Sequence, residues 1–211
     1  MHISEGVLSV PVLAGGWTCT IILLVISLRR ITYSCLPTMA VFSSIFFLTS
    51  LIRVPIGPTS THFALLGLLG LILGWGTFPA ICISLMLQAI LFQFGGIVAL
   101  GVNCIVMGLP ALLIALIFRQ KLHCQSINKI KLFSFIAGFG AIFLATCLLY
   151  LALILSNQQF KYVALTLLTA NIPLAILEGI ITILTIVFLQ KVAPELLSST
   201  NCTTNNYCNE V

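Results

Sequence analysis

Eight polar side chains stand out in this chain because they lie in or beside long apolar runs, where polar groups are costly. They are His2, Glu5, His62, Gln88, Gln93, Asn103, Asn171 and Glu178. His2 and His62 carry imidazoles, which are the commonest metal ligands in proteins. A third histidine, His123, lies among basic residues, and we interpret it as solvated.

The first two residues can form a chelate. The α-amine of Met1 and the amide nitrogen and imidazole of His2 can bind one ion through two fused rings, and a bulky second residue favours retention of Met1. The imidazole of His62 would complete four nitrogens in a plane, a tetragonal arrangement suited to Ni(II), Cu(II) and low-spin Co(II). The alternative is a frayed His2 and a His62 satisfied by a neighbouring hydroxyl such as that of Ser60.

A polar stripe runs through the last apolar segment. Asn171, Glu178 and Thr185 are spaced by seven residues, so they share one face of a helix, and that face must contact protein rather than lipid. Glu178 could orient a metal-binding imidazole, as carboxylates often do. It could instead bond the folded-back N-terminus, or tie helices together as interhelical hydrogen bonds do.

The composition excludes several classes of protein. With 60% hydrophobic and 6% charged residues, the chain needs lipid as its main solvent. Nine Lys and Arg are too few for a nucleic-acid surface. There is no GxxxxGK[ST] loop for ATP hydrolysis, and no HExxH or acidic pair for an intramembrane metalloenzyme. Eight cysteines without a CxxC pair fall mostly in apolar runs, where packing is the expected role.

The apolar runs predict an all-α, polytopic membrane protein of about seven transmembrane helices. A helix needs about 20 apolar residues to cross a bilayer. The predicted helices cover residues 10–28, 37–52, 60–75, 77–94, 100–118, 132–155 and 163–190. A break between the third and fourth is expected at Gly74 to Pro79, because Gly loosens a helix and Pro removes a donor. Residues 1–194 form one membrane domain, and residues 195–211 form a polar cytoplasmic tail.

The basic residues predict the orientation. With seven crossings and the N-terminus outside, seven Lys and Arg lie in the cytoplasm and two outside, as the positive-inside rule requires. The cytoplasmic ones are Arg29, Arg30, Arg119, Lys121, Lys129, Lys131 and Lys191. Arg53 and Lys161 lie outside. His62 is then expected at the start of the third helix, on the same outer face as Met1.

Five stretches carry a resemblance to a known family. They are MHISEGVL at the start, VPIGPTSTHFALLGLLG at 54–70, LQAILFQFGGIVALGVN at 87–103, the following MGLPA, and NIPLAILEGIITILTIVFLQKVAPELL at 171–197. In this order they resemble the CbiM/NikM family, the substrate-binding S components of energy-coupling-factor transporters for cobalt and nickel. Together these stretches span nearly all of the membrane region.

The resemblance implies what the chain does and with which partners. It implies capture of Co(II) or Ni(II) for ATP-driven import across the bacterial inner membrane, with cobalamin biosynthesis as one destination. The partners would be a transmembrane coupling (T) subunit, two ATPase subunits and a small accessory membrane protein. The metal would be held by Met1, His2 and His62. The supporting residues are expected to be Glu5, Ser60, Asn103, Asn171 and Glu178. The alternative is a non-catalytic membrane assembly protein with incidental histidines.

Overall fold

The computed structural model describes residues 2–56, 59–122 and 126–197. The expectations for Met1, for His123 and for the tail from residue 198 therefore lie outside the described residues. The helices of the described part are α1 (Val10–Leu28), α2 (Leu36–Thr49), α3 (Leu66–Leu73), α4 (Thr77–Phe92), α5 (Leu100–Phe118), α6 (Ile127–Ser156) and α7 (Lys161–Val192). The strands are β1 (His2–Ile3), β2 (Arg53–Ile56) and β3 (Thr59–His62).

The fold is mainly helical, and the prediction of a multi-pass membrane protein is confirmed. Within the described residues, five helical segments are long and apolar enough to cross a membrane. They are Val10–Leu28, Leu66–Phe92, Leu100–Phe118, Ile127–Ser156 and Gln158–Val192. The segment Tyr33–Thr49 is apolar but shorter. The number of seven crossings and the orientation stay predictions.

The predicted helix break is present, and it divides the third apolar run from the fourth. α3 ends at Leu73, a short 3-10 helix covers Gly74–Gly76, and α4 begins at Thr77. Gly74 has a φ of +57°, a conformation that residues with a Cβ rarely adopt. α3 has only eight residues and is about 12 Å long, well short of the bilayer core of about 30 Å.

The prediction that His62 begins a helix is wrong. Residues 59–62 form β3, and α3 begins at Leu66. β3 is the middle strand of a three-stranded antiparallel sheet with the order β1-β3-β2, so its backbone groups find partners in strands rather than in a helix. The expectation of an all-α protein therefore needs one correction, which is this small sheet.

Small residues bring the helices of the core close together. A Cβ on Gly67 of α3 would overlap the backbone of Ala137 in α6, and one on Gly70 would overlap the carbonyl of Ala111 in α5. α3 is thereby enclosed, and all of its residues are buried. α1 is different, because it exposes many apolar side chains and only Thr20 and Ser27 are buried, as expected for a helix in contact with lipid.

The two ends of this bundle differ in charge. At the end opposite to the sheet, the guanidinium of Arg30 lies over the ring of Trp75 at 4.9 Å, and that of Arg119 lies against Gly74. Lys121 lies over the rings of Phe118 and Phe133 at the junction of α5 and α6. We call the end with the sheet the histidine end and the other the cationic end. Which side of the membrane each faces stays a prediction.

The cysteines within the described residues differ in exposure, from the buried Cys104 to the exposed Cys19. Cys19, Cys82, Cys104 and Cys147 are free thiols on membrane helices. Cys35, just before α2, is part of a disulfide. The absence of CxxC pairs gave no sign of this bond, because a disulfide depends on the distance between residues in the fold.

Candidate metal centre

The sheet brings the two predicted histidines together. β1 pairs with β3 so that His2 lies opposite Ser60, two residues before His62. The two imidazole rings stack with their centroids 4.7 Å apart and an interplanar angle of 26°. Each side chain is only 3% exposed. Residues sixty positions apart thus form one buried imidazole pair at the histidine end.

Both imidazoles present a nitrogen that has no hydrogen-bond partner. Nε2 of His2 and Nε2 of His62 are buried and unpartnered. Nδ1 of His62 lies 2.9 Å from the carbonyl oxygen of Phe63. Since a carbonyl only accepts, Nδ1 carries the proton, and Nε2 of His62 holds a free lone pair. A neutral imidazole with a free Nε2 is the form that binds a metal ion.

The surroundings keep both imidazoles neutral. Burial lowers the pKa of His2 and of His62 well below the usual value, because a charged ring loses its hydration there. The positive charge of Arg53, opposite His62 in the β2–β3 pair, lowers both pKa values further. At neutral pH neither ring has to lose a proton before it can bind a cation.

Asn103 holds β1 in place. It does so by hydrogen bonds to the edge of β1 that faces away from β3. The backbone N–H of Ile3 donates to Oδ1 of Asn103 at 2.9 Å, and Nδ2 of Asn103 donates to the carbonyl of Ile3 at 3.2 Å. One side chain at the start of α5 thus replaces a neighbouring strand. Gly95 leaves room for this contact, because a Cβ there would lie 2.6 Å from Nδ2 of Asn103.

Glu5 fixes the turn that follows β1. Its carboxylate accepts a hydrogen bond from the backbone N–H of Val98 at 2.9 Å, just before α5. Gly96 lies so close to this carboxylate that any Cβ would overlap it. Glu5 is exposed and does not contact the imidazoles, so its part in the site is to anchor the chain that carries His2.

Glu178 holds the bend between β3 and α3. Its Oε1 accepts hydrogen bonds from the backbone N–H groups of Ala64 at 2.6 Å and Leu65 at 3.0 Å. Leu65 has a φ of +50°, so the bend needs such support. Glu178 is fully buried and bonds neither imidazole. This contact ties α7 to the backbone that follows His62 and precedes α3, which is nearest to the interpretation that Glu178 joins elements of the fold, and a bond to the amine of Met1 lies outside the described residues.

Asn171 holds β3 from the same face of α7. The hydroxyl of Thr61 donates to Oδ1 of Asn171 at 2.5 Å, while Nδ2 of Asn171 is buried without a partner. The predicted polar stripe on α7 therefore faces the residues on either side of His62. Ser60 takes part through its backbone as the residue opposite His2.

Sequence reasoning gave no role to two neighbours of the imidazoles. Gln88 is buried, and its Nε2 donates to the hydroxyl of Ser50 at 2.6 Å. Its position in an apolar run was a signal that could have shown this. Arg53 stacks on Phe94 at 3.3 Å, and nothing in the local sequence pointed to its place beside the histidines.

Few side chains that could bind a metal ion come together in the described residues. Within the described residues, no three His, Cys, Asp or Glu side chains come together. At the histidine end, the side-chain donors that come together are the two imidazoles. Further ligands would therefore be backbone nitrogens or the amine of Met1, which lies outside the described residues.

The fold and the histidine pair define a multi-pass membrane protein with a candidate metal centre. The profile of the CbiM family, described as the cobalt uptake substrate-specific transmembrane region, matches residues 2–196. The chain belongs to this family.

Relatives of known name extend over the same region. A candidate metal transport protein of Haemophilus influenzae is 39% identical over 95% of this chain and 98% of its own length. The cobalt transport protein CbiM of Sorangium cellulosum is 28% identical over 93% of this chain and 94% of its own. A crystal structure of a transition metal transporter superimposes with a TM-score of 0.80 at 28% identity, covering 91% of this chain and 93% of that one.

Proposed function

We propose that this chain is the substrate-capture subunit of an ATP-driven importer of cobalt or nickel ions. The observation that carries the proposal is the buried, stacked pair of neutral imidazoles, in which Nε2 of His62 is unpartnered and the chain on both sides is held by Asn103 and Glu178. Two neutral nitrogens in a water-poor pocket suit borderline metals such as Ni(II) and Co(II) better than Mg(II) or Ca(II), which prefer oxygen.

The proposed ligands are four nitrogens in a tetragonal arrangement. They are the amine of Met1, the amide nitrogen and imidazole of His2, and the imidazole of His62. The pairing of β1 with β3 supports this set, because it holds the residue next to Met1 beside His62. Asn103, Glu5, Ser60, Asn171 and Glu178 act as supporting residues through the backbone contacts described above.

The proposed partners are a transmembrane coupling subunit, two ATPase subunits and a small accessory membrane protein. Two relatives support a multi-component assembly, since their names mark them as fusions. They are the fused nickel transport protein NikMN of Rhodobacter capsulatus, 34% identical over 54% of this chain, and the candidate fused cobalt transport protein CbiMQ of Methanocorpusculum labreanum, 28% identical over 94%. This chain aligns with 35% and 36% of their lengths.

The working arrangement is one membrane domain over residues 1–194, with the histidine end outside. An ion bound there from the outer face is released inward when ATP hydrolysis in the partner subunits reorients the chain. A capture subunit needs no nucleotide-binding loop of its own, which agrees with the lack of a GxxxxGK[ST] motif in the sequence.

The test is metal binding by the purified, untagged chain in detergent. His2→Ala, His62→Ala and a Gly-Ser extension before Met1 should each lower the affinity for nickel and cobalt by more than about 100-fold, because loss of a supporting group alone costs about 10–100-fold. His123→Ala is the matched control and should bind like the unmodified chain. Equal binding by all four variants would instead favour the assembly protein with incidental histidines.

A further inference from the structure

Two free cysteines face each other between α4 and α5. The two helices are joined by residues 93–99 alone, so α5 runs back along α4. Their register is fixed by Phe78 of α4, whose ring lies so close to Gly108 of α5 that a Cβ there would be 2.7 Å away. One helical turn further along α4 is Cys82, and one turn back along α5 is Cys104. The two thiols are near enough to interact electrostatically.

A third sulfur lines the same space. Cys82, Cys104 and Met86 are all in the wall of a cavity of about 350 Å³ between α1, α4 and α5. Met86 lies one turn after Cys82 on α4, and long side chains of a helix lean toward its N-terminal end, which here is the side of Cys82. The flexible methionine side chain can adjust its sulfur to a ligand. We call Cys82, Cys104 and Met86 the sulfur cluster.

The wall of this cavity offers sulfur as its available donor. Its two other polar side chains are already engaged, because Nε1 of Trp17 donates to the carbonyl of Val98 at 3.1 Å and the hydroxyl of Thr20 donates to the carbonyl of Gly101 at 2.7 Å. The remaining side chains of the wall are Leu, Ile and Pro. Thiolate and thioether sulfurs select soft metal ions, whereas Mg(II) and Ca(II) require oxygen ligands.

The apolar wall also decides the charge of the ion. An unbalanced charge is costly among Leu and Ile side chains, so a bound complex has to be neutral. A divalent ion with two thiolates and a neutral thioether meets this condition. On binding, the S–H bonds of Cys82 and Cys104 break, two sulfur–metal bonds form, and two protons leave to water, since the thiolate is the metal ligand. No oxidation or reduction takes place.

We propose that the sulfur cluster is a second metal site, which binds a soft divalent ion such as Cd(II) or Hg(II) through the thiolates of Cys82 and Cys104 and the thioether of Met86. It shares no residue with the imidazole pair, so the inference goes beyond the proposed function and does not depend on it. The two sites divide ions by ligand type, because nitrogens suit borderline Ni(II) and Co(II) and sulfurs suit softer ions.

The test is a titration of the purified full chain with Cd(II) at pH 7, in a background with Cys202→Ser and Cys208→Ser. Sulfur-to-cadmium charge-transfer absorption reports sulfur ligands, and the protons released are measured in the same titration. We expect one Cd(II) and two protons per chain. Cys82→Ala and Cys104→Ala should each lower the affinity by more than about 100-fold, because loss of a supporting group alone costs about 10–100-fold. Met86→Leu, which keeps the volume, should lower it by about tenfold.

Cys147→Ala is the matched control, because Cys147 is a half-buried free thiol on α6 that does not line this cavity. It should bind Cd(II) like the background chain. Thermal melting without metal shows which variants fold, and Cys82→Ala and Met86→Leu at the less buried positions serve if Cys104→Ala does not.

Three results would overturn the proposal. They are Cd(II) binding without the sulfur absorption, release of a single proton with loss of binding in only one cysteine variant, which indicates a one-thiol adduct, and unchanged binding by Met86→Leu. A nickel titration of the same samples tests the imidazole pair separately. Failure to bind nickel would contradict the proposed function and leave the result for the sulfur cluster intact.

Discussion

The histidine end and the cationic end of the molecule use similar parts in different ways. Each places an arginine over an aromatic ring, Arg53 on Phe94 and Arg30 on Trp75. At the histidine end, side chains of α5 and α7 form hydrogen bonds with the non-helical chain around His2 and His62. At the cationic end, the described contacts of the basic side chains are with aromatic rings, Arg30 with Trp75 and Lys121 with Phe118.

Arg119 shows the contrast most clearly. It is 5% exposed, and its Nε and Nη2 have no hydrogen-bond partner among the described residues. Burial lowers its pKa to about 10, so the side chain remains charged at neutral pH. The difference between the ends shows that polar side chains of distant helices are used where a non-helical backbone segment has to be held in place.

The largest expected effect comes from removing the clamp on β1, by which we mean the two hydrogen bonds between the side chain of Asn103 and the backbone of Ile3. Asn103→Leu takes away both hydrogen bonds to Ile3 and leaves its buried N–H unpaired. We expect metal affinity to fall by about 10–100-fold, as is typical for a group that orients metal ligands. Isothermal titration with nickel measures the effect. Cys104→Ala, a change at the next buried position of α5, should leave affinity unchanged, and an equal loss in both would contradict a specific clamp.

At the cationic end, Gly74→Ala should affect stability without affecting metal binding. The substitution puts a Cβ on a residue at φ +57° and against the guanidinium of Arg119. We expect a loss of about 1–3 kcal/mol in the free energy of unfolding, the cost of a strained backbone residue. Gly140→Ala is the control, because its Cβ would meet only Ile114 at 3.5 Å and should be tolerated. Thermal melting in detergent measures the stability, and titration with nickel measures the metal affinity.

The pH dependence of stability should report the buried imidazoles. An unfolded histidine has a pKa of about 6.5, whereas burial lowers the pKa of His2 and His62 in the folded chain. As pH falls below about 6.5, the unfolded chain binds protons that the folded chain does not, so stability falls by up to about 1.4 kcal/mol per pH unit for each histidine. In metal-free protein, His62→Gln should reduce the change in stability per pH unit. An unchanged slope of melting temperature against pH would show that His62 is not held neutral.

The smallest expected effect belongs to Arg30. Arg30→Gln removes the contact with Trp75, which should cost about 0.5–1 kcal/mol of stability, the usual size of an exposed cation–π interaction. Nickel affinity should not change, since Arg30 is far from the imidazole pair. A measurable loss of nickel binding would mean that the two ends are energetically coupled, and the comparison drawn above would need revision.

Much of the helical framework was predictable because local physics dictates it. Long apolar runs can satisfy their backbone in a membrane only as helices, so the runs around α1, α5, α6 and α7 were recognisable. The break at Gly74 followed from glycine itself. The start of the third helix was misplaced, because residues 59–62 are uncharged and fit a helix as well as a strand until a pairing partner appears.

The sequence by itself determined that this is a membrane protein and which polar residues were costly enough to matter, His2, His62, Asn103 and Glu178 among them. Only the tertiary structure decided that β1 lies beside β3, that Asn103 and Glu178 bond backbone and leave the imidazoles free, and that Arg53 lies opposite His62. These contacts join residues up to 114 positions apart. No local preference encodes such pairs, because they arise only when the packed helices bring distant segments together.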